Sequence, residues 1–204
     1  MTRLRPQAVN GLPRTVRLFV AIEISESVRR RAGEIVESAR TSLESALPIR
    51  WIPQGNLHVT LWFIGGVPEE RAAAILEAID RPIGIPPFEL DLGGPGAFPR
   101  TGTPRVLWLG VRQGGESLAA LHRELATRLR PLGSEPEPRP FSAHLTLGRV
   151  KSAGNAAQAR ELRRAWQALA ADAGTCRVEA LTAFQSRLSP NGATHHPLLR
   201  VPLK

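Results

Sequence analysis

Short β-prone apolar runs alternate along the chain with apolar stripes at helical spacing, and that alternation lays out most of a fold. VRLFVAIEI (residues 16–24) reads as a strand. Ser25 and Glu26 suit a helix start, after which Val28, Ala32, Ile35, Val36, Ala39 and Leu43 recur at the helical period until Pro48 ends it. Residues 49–52 make a short strand and 58–64 another, closed by Gly65-Gly66. Pro68, Glu69 and Glu70 open a second helix with Ala72, Ile75, Leu76 and Ile79 on one face. Strands are predicted at 88–92 and 105–111, separated by a Gly/Pro-rich loop at 93–104. A third helix carries the stripe Leu118, Leu121, Leu125 and Leu129. The proline-rich loop 133–140 leads to a strand beginning at His144, and a fourth helix at about 156–171 buries Ala159, Leu162, Trp166 and Leu169. Final strands at 176–188 and 197–203 flank a turn at Ser189-Pro190-Asn191-Gly192. Four helices with seven or eight strands, several joined by loops too short for a helical crossover, predict an α+β protein: antiparallel sheet with outer helices, hinting at two similar lobes.

Two of these strands carry the same tripeptide pattern, His58-Val59-Thr60 and His144-Leu145-Thr146, each followed by Leu. With 5 His and 11 Thr in 204 residues, chance supplies fewer than one such tripeptide, so the pair demands a reason. Residues i and i+2 of a strand share a face, so each copy offers an imidazole beside a hydroxyl while Val59 and Leu145 turn to the core. Brought together, two His and two Thr make a cavity able to hold a phosphate and move protons on both sides of it.

Charge sharpens this picture. A formal net charge of +9, mostly from arginine, favours anionic partners, nucleic acid first among them. An arginine-rich composition without binding consequence is the plain alternative. Residues 1–15 read as a flexible basic arm rather than a secretory signal, and 16–204 as one bilobal domain. No apolar run approaches the roughly 20 residues that span a bilayer. A single cysteine, Cys176, excludes an internal disulfide and fits a reducing cytoplasm. No Cys/His cluster or acidic triad has metal-ligand spacing, so neither a metal nor a cofactor is expected.

RLFVAI (17–22), RWIPQGNLHVTLWFIG (50–65), PRVLWLGV (104–111), LHRELATRLRPLG (121–133), PFSAHLTLGRV (140–150) and SRLSPNGATHHPLL (186–199) together resemble the two-histidine phosphoesterases. Within that superfamily they are most similar to the RNA 2',3'-cyclic phosphodiesterases once described as 2'-5' RNA ligases. The resemblance spans nearly the whole chain from Arg17. It implies two pseudo-symmetric lobes around a groove with one H-x-T-x strand from each on its floor. It also implies metal-independent opening of a 2',3'-cyclic phosphate to a 2'-phosphomonoester, with His58 as proton donor and His144 as proton acceptor. Arg149 matches an arginine that the family commonly carries. Two departures stand out: His195-His196 lie where relatives often have a tyrosine, and Ala143 replaces a proline often found before the second His.

Opening a cyclic diester needs a base for water and an acid for the departing ribose oxygen, and histidine serves either role near neutrality. Spacing alone leaves the two roles interchangeable. Thr60 and Thr146 can donate to the non-bridging oxygens. Arg149 can fork onto a phosphate, but strict alternation puts it on the face opposite His144, so it reaches the site only if the strand twists; a solvent-facing role is the alternative. Phe63, at the same offset from His58, can stack on a base if the chain bends there, with core packing as the alternative. Trp62 shares the face of His58 and Thr60, whereas Trp51, Trp108 and Trp166 read as core. His122 reads as a surface or capping group, and His195 and His196 as a groove wall or an ordinary surface pair. The expected partner is RNA with a cyclic phosphate end, bound by a monomer. Two competing functions are the reverse, RNA-joining reaction and a nucleotide-binding module without turnover.

Overall fold

The computed structural model describes residues 15–43, 47–152, 154–189 and 192–204. The basic arm therefore lies outside them except for Thr15, which opens the first strand. In chain order the elements are β1 (Thr15–Glu23), α1 (Glu26–Leu43), β2 (Ile49–Trp51), β3 (His58–Pro68), α2 (Glu69–Ile79), β4 (Phe88–Phe98) and β5 (Val106–Gln113). Then follow α3 (Gly115–Leu129), β6 (Leu145–Val150), α4 (Ala156–Gln167), β7 (Asp172–Val178), β8 (Ala180–Ser189) and β9 (Gly192–Pro202). The predicted helical stripes are where the core forms. Val28, Ala32, Ala39 and Leu43 of α1 are buried, as are all four leucines of α3. Each such leucine contributes about 1.5–3 kcal/mol by leaving water. Asn155 and Gln158 close a capping box at the start of α4, which offsets the lost amide partners of its first turn.

All nine strands join one antiparallel sheet in the order β7-β4-β5-β6-β3-β1-β8-β9, with β2 attached to β6. The sheet is α+β in class and divides about the β6–β3 junction. On one side α1 and α4 cover β7 and β4; on the other α2 and α3 cover β1 and β3. A single hydrophobic cluster runs beneath both halves. The halves are interleaved in sequence, because the chain crosses the junction after β1, β2, α2, β5, α3 and β7. Tandem repeats would keep each half contiguous, and here no cut in the chain separates them.

Two glycine-rich stretches depart from their predicted reading. β3 does not stop at Gly65-Gly66 but pairs with β1 out to Pro68, with Gly65 in the left-handed region at φ +81. β4 runs on through 93–98, pairing with β5 up to Phe98↔Val106. Its glycines serve close approach and bulging rather than a loop. A Cβ on Gly96 would overlap the Trp108 ring, and Gly94 takes φ +77 where the register shifts. The predicted strand over 176–188 is split, β7 ending at Val178 and β8 beginning at Ala180. Residues 190–191 of the predicted turn lie outside the described residues; β8 and β9 flank them as an antiparallel pair.

Candidate active site

The two H-x-T segments are neighbours in the sheet, paired at Val59↔Leu145. Continuing that antiparallel register by one residue sets His58 opposite Thr146 and Thr60 opposite His144. The four groups thus mark the corners of a rectangle on one face, with the imidazoles on a diagonal of roughly 8 Å set by strand rise and spacing. Val59 and Leu145 point the other way and are fully buried. Past this single pairing the strands part company. β3 follows β1, while β6 takes β2 as its neighbour, so a groove opens between them.

A bulge follows each threonine. Opposite β1, Thr60 pairs with Ala21 and Trp62 with Val20, which leaves Leu61 as the extra residue. Opposite β5, Thr146 pairs with Trp108 and Gly148 with Leu107, which leaves Leu147 extra. Each bulge puts two successive residues into the core and returns the residue five after the histidine to the groove. The burial sequence confirms the match, since Val59–Ile64 and Leu145–Val150 follow the same order of buried and open positions. Phe63, 41% exposed, and Arg149 therefore both line the groove with His58, Thr60 and Thr146. Trp62 is corrected by the same shift: it is 2% exposed, and its indole N–H donates to Ser134 Oγ at 2.9 Å.

Each imidazole is oriented alike. His58 Nδ1 lies 2.7 Å from the Asn56 carbonyl and His144 Nδ1 2.7 Å from the Ser142 carbonyl. A carbonyl only accepts, so Nδ1–H donates in both and Nε2 is left as the unprotonated nitrogen of the neutral ring. Aromatic walls surround them. The His58 ring lies 4.9 Å from Phe19 and 5.1 Å from the edge-on ring of His195, and the His144 ring lies 5.1 Å from Phe98 and 6.0 Å from Trp108. Burial in that setting pushes His58 down to about 4, and the charges of His195, Arg149 and His144 act in the same direction against the Asn56 hydrogen bond. Burial also lowers His144, helped by Arg149 and opposed by Ser142 and Glu137. Both imidazoles are therefore neutral near pH 7.

The groove has a volume of about 500 Å³. One wall presents Phe63 with the Arg17 guanidinium 4.9 Å over its ring. The other presents Arg149, and the β8–β9 hairpin closes the end with His195. Among the described residues no group of three His, Cys, Asp or Glu side chains is placed to hold a metal ion. No helix among them is long and apolar enough to cross a membrane.

Residues 24–188 match the 2'-5' RNA ligase superfamily. The chain belongs to that superfamily. It is 38% identical to the RNA 2',3'-cyclic phosphodiesterase of Archaeoglobus fulgidus over 136 residues, 67% of this chain and 73% of that one. Identity to the RNA 2',3'-cyclic phosphodiesterase of Thermotoga maritima is 36% over 137 residues, 67% and 71% of the two chains. The fold is similar to that of E. coli LigT complexed with 3'-AMP, with a TM-score of 0.73 and 27% identity over 93% of this chain and 99% of that one.

Within this superfamily frame, the structure adds to the sequence reading at three residues: a role for Asn56 that it did not contain, a correction at His122, and the groove-wall alternative at His195. Asn56 does more than lend its carbonyl to His58, because its side-chain amide donates to the Ala193 carbonyl at 2.7 Å and ties the β8–β9 hairpin to the floor. His122 is no simple surface group. It stacks on Phe141 at 4.3 Å and meets Trp62 at 5.0 Å, pinning the segment that leads to His144. His195 faces the groove, whereas His196 is exposed beside Thr194. All three contacts join residues far apart in sequence. The sequence carried a signal only at His195-His196, read there as a groove wall or an ordinary surface pair.

Proposed function

We propose that the chain hydrolyses RNA 2',3'-cyclic phosphodiester ends to 2'-phosphomonoesters by paired-histidine acid–base catalysis. The pairing of Val59 with Leu145, whose register sets His58 and His144 on a diagonal, each with Nδ1 held by a carbonyl, is the observation that carries this reading. A phosphorus over the centre of the rectangle has one imidazole on either side, as in-line displacement requires. Water attacks phosphorus and gives its proton to His144 Nε2. The bond from phosphorus to the 3' oxygen breaks, and His58 Nε2–H protonates that oxygen, leaving the phosphate on the 2' oxygen. Thr60 and Thr146 donate to the non-bridging oxygens where charge accumulates, and Arg149 adds a charged fork. Phe63 offers a stacking face to the base, with Arg17 beyond it.

The donor role puts a condition on His58, which is neutral near pH 7 in the protein alone. Its proton must arrive with the substrate, whose phosphate charge offsets the repulsion from Arg149 and His195. Proton uptake on binding is then a signature of the assignment. The groove is open to water, which favours hydrolysis over joining to a 5'-hydroxyl. We read the working protein as a cytoplasmic monomer needing neither metal nor cofactor. Purified protein in EDTA should convert an oligonucleotide with a 2',3'-cyclic end to one with a 2'-phosphate end. A 3'-phosphate product, or no turnover, overturns the proposal.

A further inference from the structure

The pseudo-symmetry of the floor is broken in one place. β6 carries a short extra neighbour, β2, whereas β3 is flanked by β6 and β1 alone. The middle residue of β2 is Arg50, and its partner across the ladder is Arg149. Ile49 and Trp51 on either side are buried, so alternation turns the exposed Arg50 to the groove that it lines. Like charges directly opposite in a sheet repel, so the pair is unfavourable unless something anionic sits between or above the two side chains.

Among the described residues no carboxylate supplies that anion. Several arginines elsewhere are neutralised, Arg112 by Asp91 and Asp172, Arg128 by Glu124 and Arg177 by Glu89, while others such as Arg163 meet only backbone carbonyls. Among the described residues neither Arg50 nor Arg149 has an ion pair with a carboxylate, and no Asp or Glu lines the groove. Arg17 is engaged differently, over the Phe63 ring. Arg149 sits on β6, the strand that follows His144, and its charge bears on both imidazoles. Arg50 stands one strand farther out, about 5 Å away, at the rim.

We propose that Arg50 forms a second phosphate subsite, which takes the 5'-phosphate of the nucleotide whose 2',3' end is on the floor. This rests on the proposed function, and it names the preferred substrate as an oligonucleotide end rather than a cyclic mononucleotide. In such an end the two phosphates lie on opposite sides of one ribose. The floor holds the first and the rim arginine meets the second.

Calorimetric binding of adenosine 2'-monophosphate and adenosine 2',5'-bisphosphate tests this without relying on turnover. A charge-assisted hydrogen bond corresponds to roughly 10–100-fold in affinity, so the wild-type protein should favour the bisphosphate by that factor. Arg50→Gln should bring the ratio close to one, and Arg50→Lys should retain part of it. Arg149→Gln should weaken both ligands together. The subsite is overturned if the wild-type protein shows no preference, if the preference survives in Arg50→Gln, or if that variant weakens both ligands equally. A thermal melt of each variant separates lost binding from lost folding. Failure to open any cyclic-ended substrate would sink the proposed function, while the affinity ratio would still decide the subsite.

Discussion

On β3 the imidazole of His58 is walled by Phe19 and His195 and tied through Asn56 to the β8–β9 hairpin, whereas just before β6 that of His144 meets Phe98 and Trp108 behind a proline-rich loop. The backbones beneath them are the same: an Nδ1 hydrogen bond to the carbonyl two residues back, a threonine two residues on, and a bulge at the following leucine. The bulge delivers Phe63 on one strand and Arg149 on the other. The shared frame thus places equivalent atoms, and the neighbours that differ assign them different work. In the proposed reaction one side would face a base and the other a phosphate.

The largest test of that comparison is removal of each imidazole. His58→Ala and His144→Ala should each lower the rate on a cyclic-ended oligonucleotide by about 10²–10⁴-fold. Because the two act as a unit, the double variant should be little worse than the poorer single one. Full activity in either single variant breaks the equivalence. A smaller effect should separate the two bulge-delivered residues. Arg149→Gln should cost about 10–100-fold in kcat/KM whatever the base, as expected for losing a charged hydrogen bond. Phe63→Ala should cost about tenfold, mainly in KM and depending on the base, as expected for lost stacking. Identical profiles for the two would mean that the walls are not specialised.

The gentlest probe is pH. His58 should titrate near 4 in the free protein by NMR and move up when inorganic phosphate binds; an unmoved value would argue for His58 as the base. The same burial bears on stability. The unfolded chain takes up its histidine protons near 6.5, while the folded one keeps His58 neutral down to about 4. Stability should therefore be full above pH 6.5 and drain away as pH falls toward 4, by about 1.4 kcal/mol per pH unit for this one group. His122, His144 and His195 are shifted in the same direction. Chemical denaturation at pH 7 and pH 5 measures this, and greater stability at pH 5 would contradict it.

Some elements were legible because their period is local. The stripes of α1 and α3 repeat every three or four residues, and each such position is where the core lies. Gly93-Gly94 and Gly65-Gly66 were misread because a bulge and a loop use the same residues. Only the pairing partner, Trp108 over Gly96 for one, tells them apart. Trp62 and Phe63 exchanged faces for a similar reason, since alternation counted from His58 fails once Leu61 is left unpaired.

The sequence by itself determined the two H-x-T strands, the helices that cover the sheet and the superfamily, because each is written in residues close together or in whole blocks. Tertiary structure alone decided that the strands pair at Val59 and Leu145, that Phe63 and Arg149 return to the groove, and that Arg50 is set against Arg149. Those facts depend on register. A one-residue shift in pairing turns a side chain to the other face, and nothing local in the chain records which shift occurs.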